Sequence, residues 1–112
     1  MPNTFNNAFA NLTSTNETDL YTAPSGASNV AIVMSCVAAN VDGGNSVDFT
    51  LKVTDGSNVE QSTLLFTVPI PGDTSLECIS NRVVLKNGQK LRGTASAAND
   101  IKVTVSVLEV TV

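Results

Sequence analysis

The chain has 112 residues, a formal net charge of −4, and 14% charged against 42% hydrophobic residues. This length suits one domain with one core, and the hydrophobic content excludes a disordered chain. Only six residues are Lys or Arg, which is too few to neutralise many phosphates, so no nucleic-acid partner is expected.

The first 18 residues form a polar, Asn-rich segment. We assign residues 1–18 to an N-terminal arm with a possible first strand at residues 8–14, preceded by a loose tail over residues 1–7. The segment has neither the basic nor the apolar region of a signal peptide, so no secretion signal is expected. The longest apolar stretch, Val30–Ala39, is too short to cross a bilayer, and no membrane partner is expected.

Residues 19–112 are assigned to a single β-sandwich domain. Short apolar stretches alternate there with turn signals such as Asp42-Gly-Gly-Asn45 and Asn87-Gly88. The pattern predicts strands at residues 19–23, 29–40, 47–54, 62–68, 76–79, 83–85, 91–97 and 101–107. The predicted fold is therefore all-β: an antiparallel β-sandwich, jelly-roll-like or Ig-like, of seven to nine short strands.

Two strands show clear alternation, and their apolar rows are expected to meet in the core. These rows are Val47, Phe49, Leu51 and Val53 in one strand and Ile101, Val103, Val105 and Val107 in the other. At Leu108 the apolar phase changes, which predicts a bulge or a change of sheet. Strand 29–40 is apolar on both faces, with the bulkier set at Val30, Ile32, Met34 and Cys36 expected to face the core.

Catalytic and metal-binding chemistry has few candidates because the chain contains no His and only two Cys. Missing His removes the common nucleophile–base pairs, and two Cys cannot complete a structural zinc site. Asp42, Asp48 and Asp55 lie in or near turns, but without the alternating spacing of an EF-hand calcium loop. We therefore expect no enzyme, and no catalytic, cofactor-binding or metal-ligating residues and no cofactor.

Cys36 and Cys78 both lie inside apolar stretches. We expect them to be buried free thiols that pack as small hydrophobic side chains. A disulfide between them would require their two strands to face each other.

Five of the six basic residues follow residue 80: Arg82, Lys86, Lys90, Arg92 and Lys102. This skew is compatible with one positive patch that meets an acidic neighbour. Solvated strand edges, where Lys discourages unwanted pairing, are the favoured interpretation.

The order of motifs from Leu20 to Val112 resembles that of small virion structural proteins of tailed bacteriophages, especially marine and cyanobacterial ones. The motifs are LYTAPSG, an apolar strand ending in Ala39-Asn40, VDFTLKVTD, VPIPGDTSLE, and VVLKNGQKLRGTASAANDIKVTVSVLEV. The chain departs from that scheme at residues 86–89, where the family has an acidic residue after the Gly.

The resemblance implies a component of the phage particle, assembled in the host cytoplasm. A capsid decoration or cement protein is favoured, with the major capsid protein or other virion proteins as partners and a homo-oligomer, trimer or dimer, as its state. A tail, neck or host-contacting knob component is the alternative. A carbohydrate-binding module is a third possibility, which the absence of Trp and the single Tyr disfavour.

Overall fold

The computed structural model describes residues 3–79 and 81–111, and all the regular elements in them are β-strands. The nine strands are β1 (Asn3–Asn11), β2 (Thr18–Thr22), β3 (Asn29–Asn40), β4 (Val47–Thr54), β5 (Glu60–Ile70), β6 (Ser75–Glu77), β7 (Val83–Lys86), β8 (Lys90–Ala95) and β9 (Ile101–Thr111). The prediction of an all-β chain with seven to nine strands is confirmed.

The strands form two antiparallel sheets that enclose one core. In the five-stranded sheet the order is β1-β9-β3, and both β6 and β7 pair with the remaining edge of β3. In the four-stranded sheet the order is β2-β8-β4-β5. If β6 and β7 are counted as one interrupted strand, the first strand pairs with the last, the second with the second last, and so on inward. This nested pairing is the jelly-roll arrangement, so the jelly-roll alternative holds rather than the Ig-like one.

The core is made by the alternating rows that the sequence pattern placed there. The β4 row, Val47, Phe49, Leu51 and Val53, and the β9 row, Ile101, Val103, Val105 and Val107, are all buried in one cluster. Phe49 packs against β8 at Gly93, where an added Cβ would lie 3.0 Å from Phe49 Cε1 and 2.9 Å from Leu20 Cδ1. Gly93 therefore makes room for two of the buried side chains.

The predicted tight turn at Asn87-Gly88 joins β7 to β8. Both residues have positive φ angles, 47° and 80°, and the Gln89 N–H donates to Lys86 O at 3.0 Å, as in a β-turn of type I′. This turn carries the chain from the five-stranded sheet to the four-stranded sheet. Asn87 Oδ1 also accepts the Gly26 N–H at 2.8 Å, which ties this turn to the one between β2 and β3.

The N-terminal segment differs from the predicted loose tail and late first strand. Residues 3–7 belong to β1, which ends at Asn11 and pairs with β9 along its whole length. Ala8 and Ala10 pack against the core, and Leu12 is buried. Asn has a low propensity for strands, but the burial of Ala8, Ala10 and Leu12 and the pairing with β9 nevertheless make this segment a strand.

Of the β3 residues expected to face the core, Cys36 does so but Val30, Ile32 and Met34 do not, and the irregularity expected in β9 lies in β3 instead. Ala31 and Val33 face the core, then Cys36 and Ala38, while Met34 is exposed. The register of β3 with β9 shifts between Val33 and Ser35, so the extra residue is in β3. β9 keeps an unbroken register with β1, and Leu108 simply points to the outer face. The bulkier face of β3 is not the inner one, and alternation alone does not identify which face of a strand that is apolar on both sides is covered.

Candidate interaction surface

The outer face of the five-stranded sheet carries a row of apolar side chains. Phe5 pairs with Leu108, Leu108 with Ile32, and Ile32 with Val84. Directly paired residues share a face, so the row crosses four strands. Phe5 is 76% exposed and Val84 50%. Contiguous exposed apolar surface of this kind marks an interaction site.

A second part of this surface lies four residues, or two repeats of the pleat, further along β1. Phe9 is 73% exposed and pairs with Thr104. Between Phe5 and Phe9 the small polar residues Asn7 and Ser106 lie side by side, and next to them the bulge exposes Met34. Phe5, Asn7, Met34 and Ser106 line a shallow depression of about 360 Å³.

The β1 strand is an edge, and its free backbone groups can be identified. Leu12, directly after β1, donates its N–H to Ile101 O at 3.0 Å. Since hydrogen-bonding direction alternates along a strand, the even-numbered residues of β1 bond to β9 and the odd-numbered ones point away. The Asn7 N–H agrees, because it is taken by the neighbouring Asn6 Oδ1 at 2.9 Å. The odd-numbered residues also carry the outer-face side chains Phe5 and Phe9.

The other described sheet edges are irregular, short or charged. The register of β5 with β4 shifts three times, and the strand contains Pro69 and has positive φ at Thr67. The β2 strand has five residues and one register shift, and β6 and β7 have three and four residues. These are the devices that prevent edge-to-edge pairing. By contrast, β1 has nine residues, an unbroken register and no charged residue or Pro.

The outer face of the four-stranded sheet is charged. Arg92 Nε donates to Asp19 Oδ1 at 2.6 Å, and Arg92 Nη1 donates to Glu17 at 3.1 Å. Lys90 reaches Asp19 and Asn58 at 3.2 and 3.0 Å. Burial alone would raise the pKa of Asp19, but the bonds and charges of Lys90 and Arg92 outweigh it and lower that pKa.

The basic residues after residue 80 are divided between the two sheets. Lys90 and Arg92 lie on β8 in the four-stranded sheet, whereas Lys86 and Lys102 lie on β7 and β9 in the five-stranded sheet. The interpretation as one positive patch is therefore wrong. The favoured interpretation as solvated strand edges is also wrong for Lys90, Arg92 and Lys102, because β8 and β9 are interior strands of their sheets.

Of the three acidic residues considered as calcium ligands, Asp42 and Asp55 hold turns, whereas Asp48 lies within strand β4. Asp42 Oδ1 accepts the N–H groups of Gly44 and Asn45 at 2.9 and 3.3 Å, and these bonds, Gly44 first, lower the pKa of Asp42. Asp55 Oδ1 accepts the N–H groups of Ser57 and Val59 at 2.8 and 3.0 Å. Within residues 3–79 and 81–111, no group of three or more His, Cys, Asp or Glu residues is placed to hold a metal ion.

Cys36 and Cys78 are both buried, as the apolar stretches around them predict. They face each other across β3 and the end of β6, where the Cys78 N–H donates to Cys36 O at 2.8 Å. Both are free thiols. The hydrogen bond to the Cys78 thiol and burial raise the pKa of Cys36, so this thiol is a poor nucleophile at neutral pH.

The one tyrosine is part of the core rather than of a binding platform. Tyr21 is buried, and its hydroxyl hydrogen-bonds Glu109. Burial, followed by this bond and the carboxylate charge, raises the pKa of Tyr21. Tyr21 is therefore not available to stack on a sugar ring.

Sequence interpretation did not identify Phe5 and Phe9 as surface residues, because Phe5 falls in the predicted loose tail and Phe9 in the possible first strand of the polar arm. The signal was present: Ala8, Ala10 and Leu12 share one phase of a period-two pattern, while Phe5, Asn7 and Phe9 share the other.

In the described part of the chain, no helix is long and apolar enough to cross a membrane.

No family model and no curated protein matches this chain by sequence. Among solved structures, a chain of the disulfide-linked pili that form Bacillus endospore appendages is similar, with a TM-score of 0.54, 11% identity, and coverage of 98% of this chain and 88% of that one. A chain of the acidic stable capsid of Helicobacter pylori bacteriophage KHP30 is similar with a TM-score of 0.54, 15% identity, and coverage of 96% and 86%. At these identities the likeness establishes the sandwich fold.

Proposed function

We propose that this chain is a structural component of a bacteriophage particle, and specifically a capsid decoration protein that binds capsid subunits. The observation that carries the proposal is the uncovered apolar face of the five-stranded sheet, which includes Phe5 and Leu108. Such a face is suited to packing against other protein. Two observations support a virion as the assembly that contains this partner protein. They are the motif order between Leu20 and Val112 and the fold shared with the KHP30 capsid chain.

A decoration protein acts by adding contacts between capsid subunits. The partners would be the major capsid protein or other virion proteins, with a homo-oligomer as the bound form. Many copies with modest interfaces would together hold the shell through multivalency. The chain would reside in the virion, after assembly in the host cytoplasm.

Counting copies in purified particles tests this proposal. Quantitative mass spectrometry should find this chain in a fixed, high ratio to the major capsid protein, and cryo-EM should place it on the capsid lattice. A copy number of a dozen or fewer would instead favour a tail, neck or knob component. Complete absence from particles would contradict both.

The similarity to a pilus chain supports a second candidate, a subunit of a surface filament. Electron microscopy of the purified protein distinguishes the two, because a filament subunit should polymerise at high concentration. A decoration protein should stay small and bind assembled capsids from which it has been stripped.

A further inference from the structure

We propose that two copies of this chain associate through their β1 edges in antiparallel register centred on Asn7, joining their five-stranded sheets into one continuous sheet. This interface does not rest on the assignment to a phage particle. The occupant of the edge is a second copy because β1 is complementary to itself in backbone, side chains and charge.

The backbone of β1 fits the proposed register. A two-fold axis at Asn7 pairs Asn7 with itself, Phe5 with Phe9, and Asn3 with Asn11. All five are odd-numbered residues, whose N–H and C=O groups point away from β9. Because each hydrogen-bonded pair exchanges two bonds, this register forms about ten inter-chain bonds. The Asn7 N–H exchanges its bond to Asn6 Oδ1 for one of them.

The side chains of β1 fit the same register. Directly opposite residues share a face, so Phe5 of one copy lies beside Phe9 of the other, and the pair occurs twice. Aromatic cross-strand pairs stabilise antiparallel strands. The two phenylalanines, 76% and 73% exposed in the single chain, thereby cover each other at the depression lined by Phe5 and Asn7.

Charge does not oppose this pairing. Residues 3–11 carry no charged side chain, so no like charges meet across the axis. The basic residue paired with β1 is Lys102, opposite Asn11; the two-fold axis places the two Lys102 residues at opposite ends of the joined strands. A two-fold contact of this kind is isologous and closes at a dimer.

Substituting Lys or Asp for Asn7, the residue on the proposed two-fold axis, tests the pairing of the two β1 edges. In Asn7→Lys and in Asn7→Asp, like charges lie directly opposite each other, so each variant alone should have a dimer dissociation constant raised roughly tenfold or more. An equimolar mixture should recover a wild-type-like dimer, because the opposite charges then meet. Analytical ultracentrifugation of the full chain up to about 1 mM measures this.

The matched control is Gln61→Lys, which adds the same charge at an exposed position of the β5 edge. It should leave the dimer unchanged, and circular dichroism should show that all variants are folded. A wild-type chain that stays monomeric up to about 1 mM, or a dimer that Asn7→Lys does not weaken, would overturn the proposal. Recovery in the mixture is not explained by misfolding of the single variants.

Cross-linking tests the register independently. Hydrogen-bonded antiparallel partners lie about 5.5 Å apart at Cα, within the range of a disulfide. With oxidised glutathione as the oxidant, which is reduced to two thiols, the two Cys thiols of Asn7→Cys should form an inter-chain disulfide. Thr104→Cys, one strand away from the edge on the same face, should not. Absence of the Asn7→Cys cross-link would overturn the register centred on Asn7.

Discussion

The two sheets of this sandwich share a core but treat their outer faces and edges differently. The four-stranded sheet carries Arg92, Lys90 and Asp19 in an ion-pair network, and its edge strand β5 is irregular and contains Pro69. The outer face of the five-stranded sheet carries a row of apolar side chains, and its edge β1 is regular and uncharged. Charge and irregularity discourage pairing with another chain, so the five-stranded sheet offers the edge better suited to such pairing.

The largest expected effect lies in the core that both sheets share. Replacing Phe49 with Ala removes a fully buried ring from β4, and its packing against Gly93 is lost. The free energy of unfolding should fall by about 3–5 kcal/mol. Urea denaturation followed by circular dichroism measures the change.

The matched variant is Phe66→Ala, since Phe66 is 71% exposed. It should change the free energy of unfolding by less than about 0.5 kcal/mol. Equal losses for the two phenylalanines would contradict the division into a shared core and exposed outer surface.

The next effect concerns the close packing of the four-stranded sheet. Gly93→Ala places a Cβ within 3.0 Å of Phe49 and 2.9 Å of Leu20, so both side chains must shift. Overpacking of this kind should cost about 1–3 kcal/mol. Gly56→Ala is the control, because its Cβ would meet Gly88 O at an ordinary 3.6 Å. Thermal unfolding of both variants should separate them clearly; equal melting temperatures would mean that β8 can move away from the core.

The core could be predicted from sequence because its physical basis is local. Alternation at Val47–Val53 and at Ile101–Val107 places each row on one face, and Asn87-Gly88 fixes a turn by its tolerance of positive φ. The inner face of β3 could not be predicted, since both its faces are apolar and the bulge at Met34 depends on pairing with β9.

The candidate surface was harder to predict than the core. The role of β1 follows from non-local pairing, because only β9 makes residues 3–11 an ordered edge. Which of its residues point outward is decided by the hydrogen-bonding direction at Leu12. The sequence contains the period-two pattern of Phe5 and Phe9 but not the information that the rest of residues 3–79 and 81–111 leaves them exposed.

A smaller effect is expected from the charged face as pH falls. Because the pKa of Asp19 is lowered in the folded chain from its usual 3.8, its ion pairs stabilise the fold above that value and are lost as pH falls through the folded pKa. The Asp19 side chain is 48% exposed, so the contribution should stay below about 1 kcal/mol. Wild type should therefore exceed Asp19→Asn in unfolding free energy at pH 6, and the gap should close below about pH 3.8. A gap that widens on acidification would contradict the ion pairing.

The smallest effect on stability should come from Phe9, although Phe9 is expected to contribute to association. On the Asn7→Lys background, where pairing is weakened, Phe9→Ala should change the free energy of unfolding by less than about 0.5 kcal/mol, because the ring is 73% exposed. On the wild-type background the same change should raise the dimer dissociation constant, since Phe9 then loses its contact with Phe5 of the second copy. Denaturation and ultracentrifugation of the two pairs of variants measure these effects. A loss above about 1 kcal/mol on the Asn7→Lys background would mean that Phe9 stabilises the fold of its own chain. Phe9 would then pack against residues of that chain rather than against a second copy.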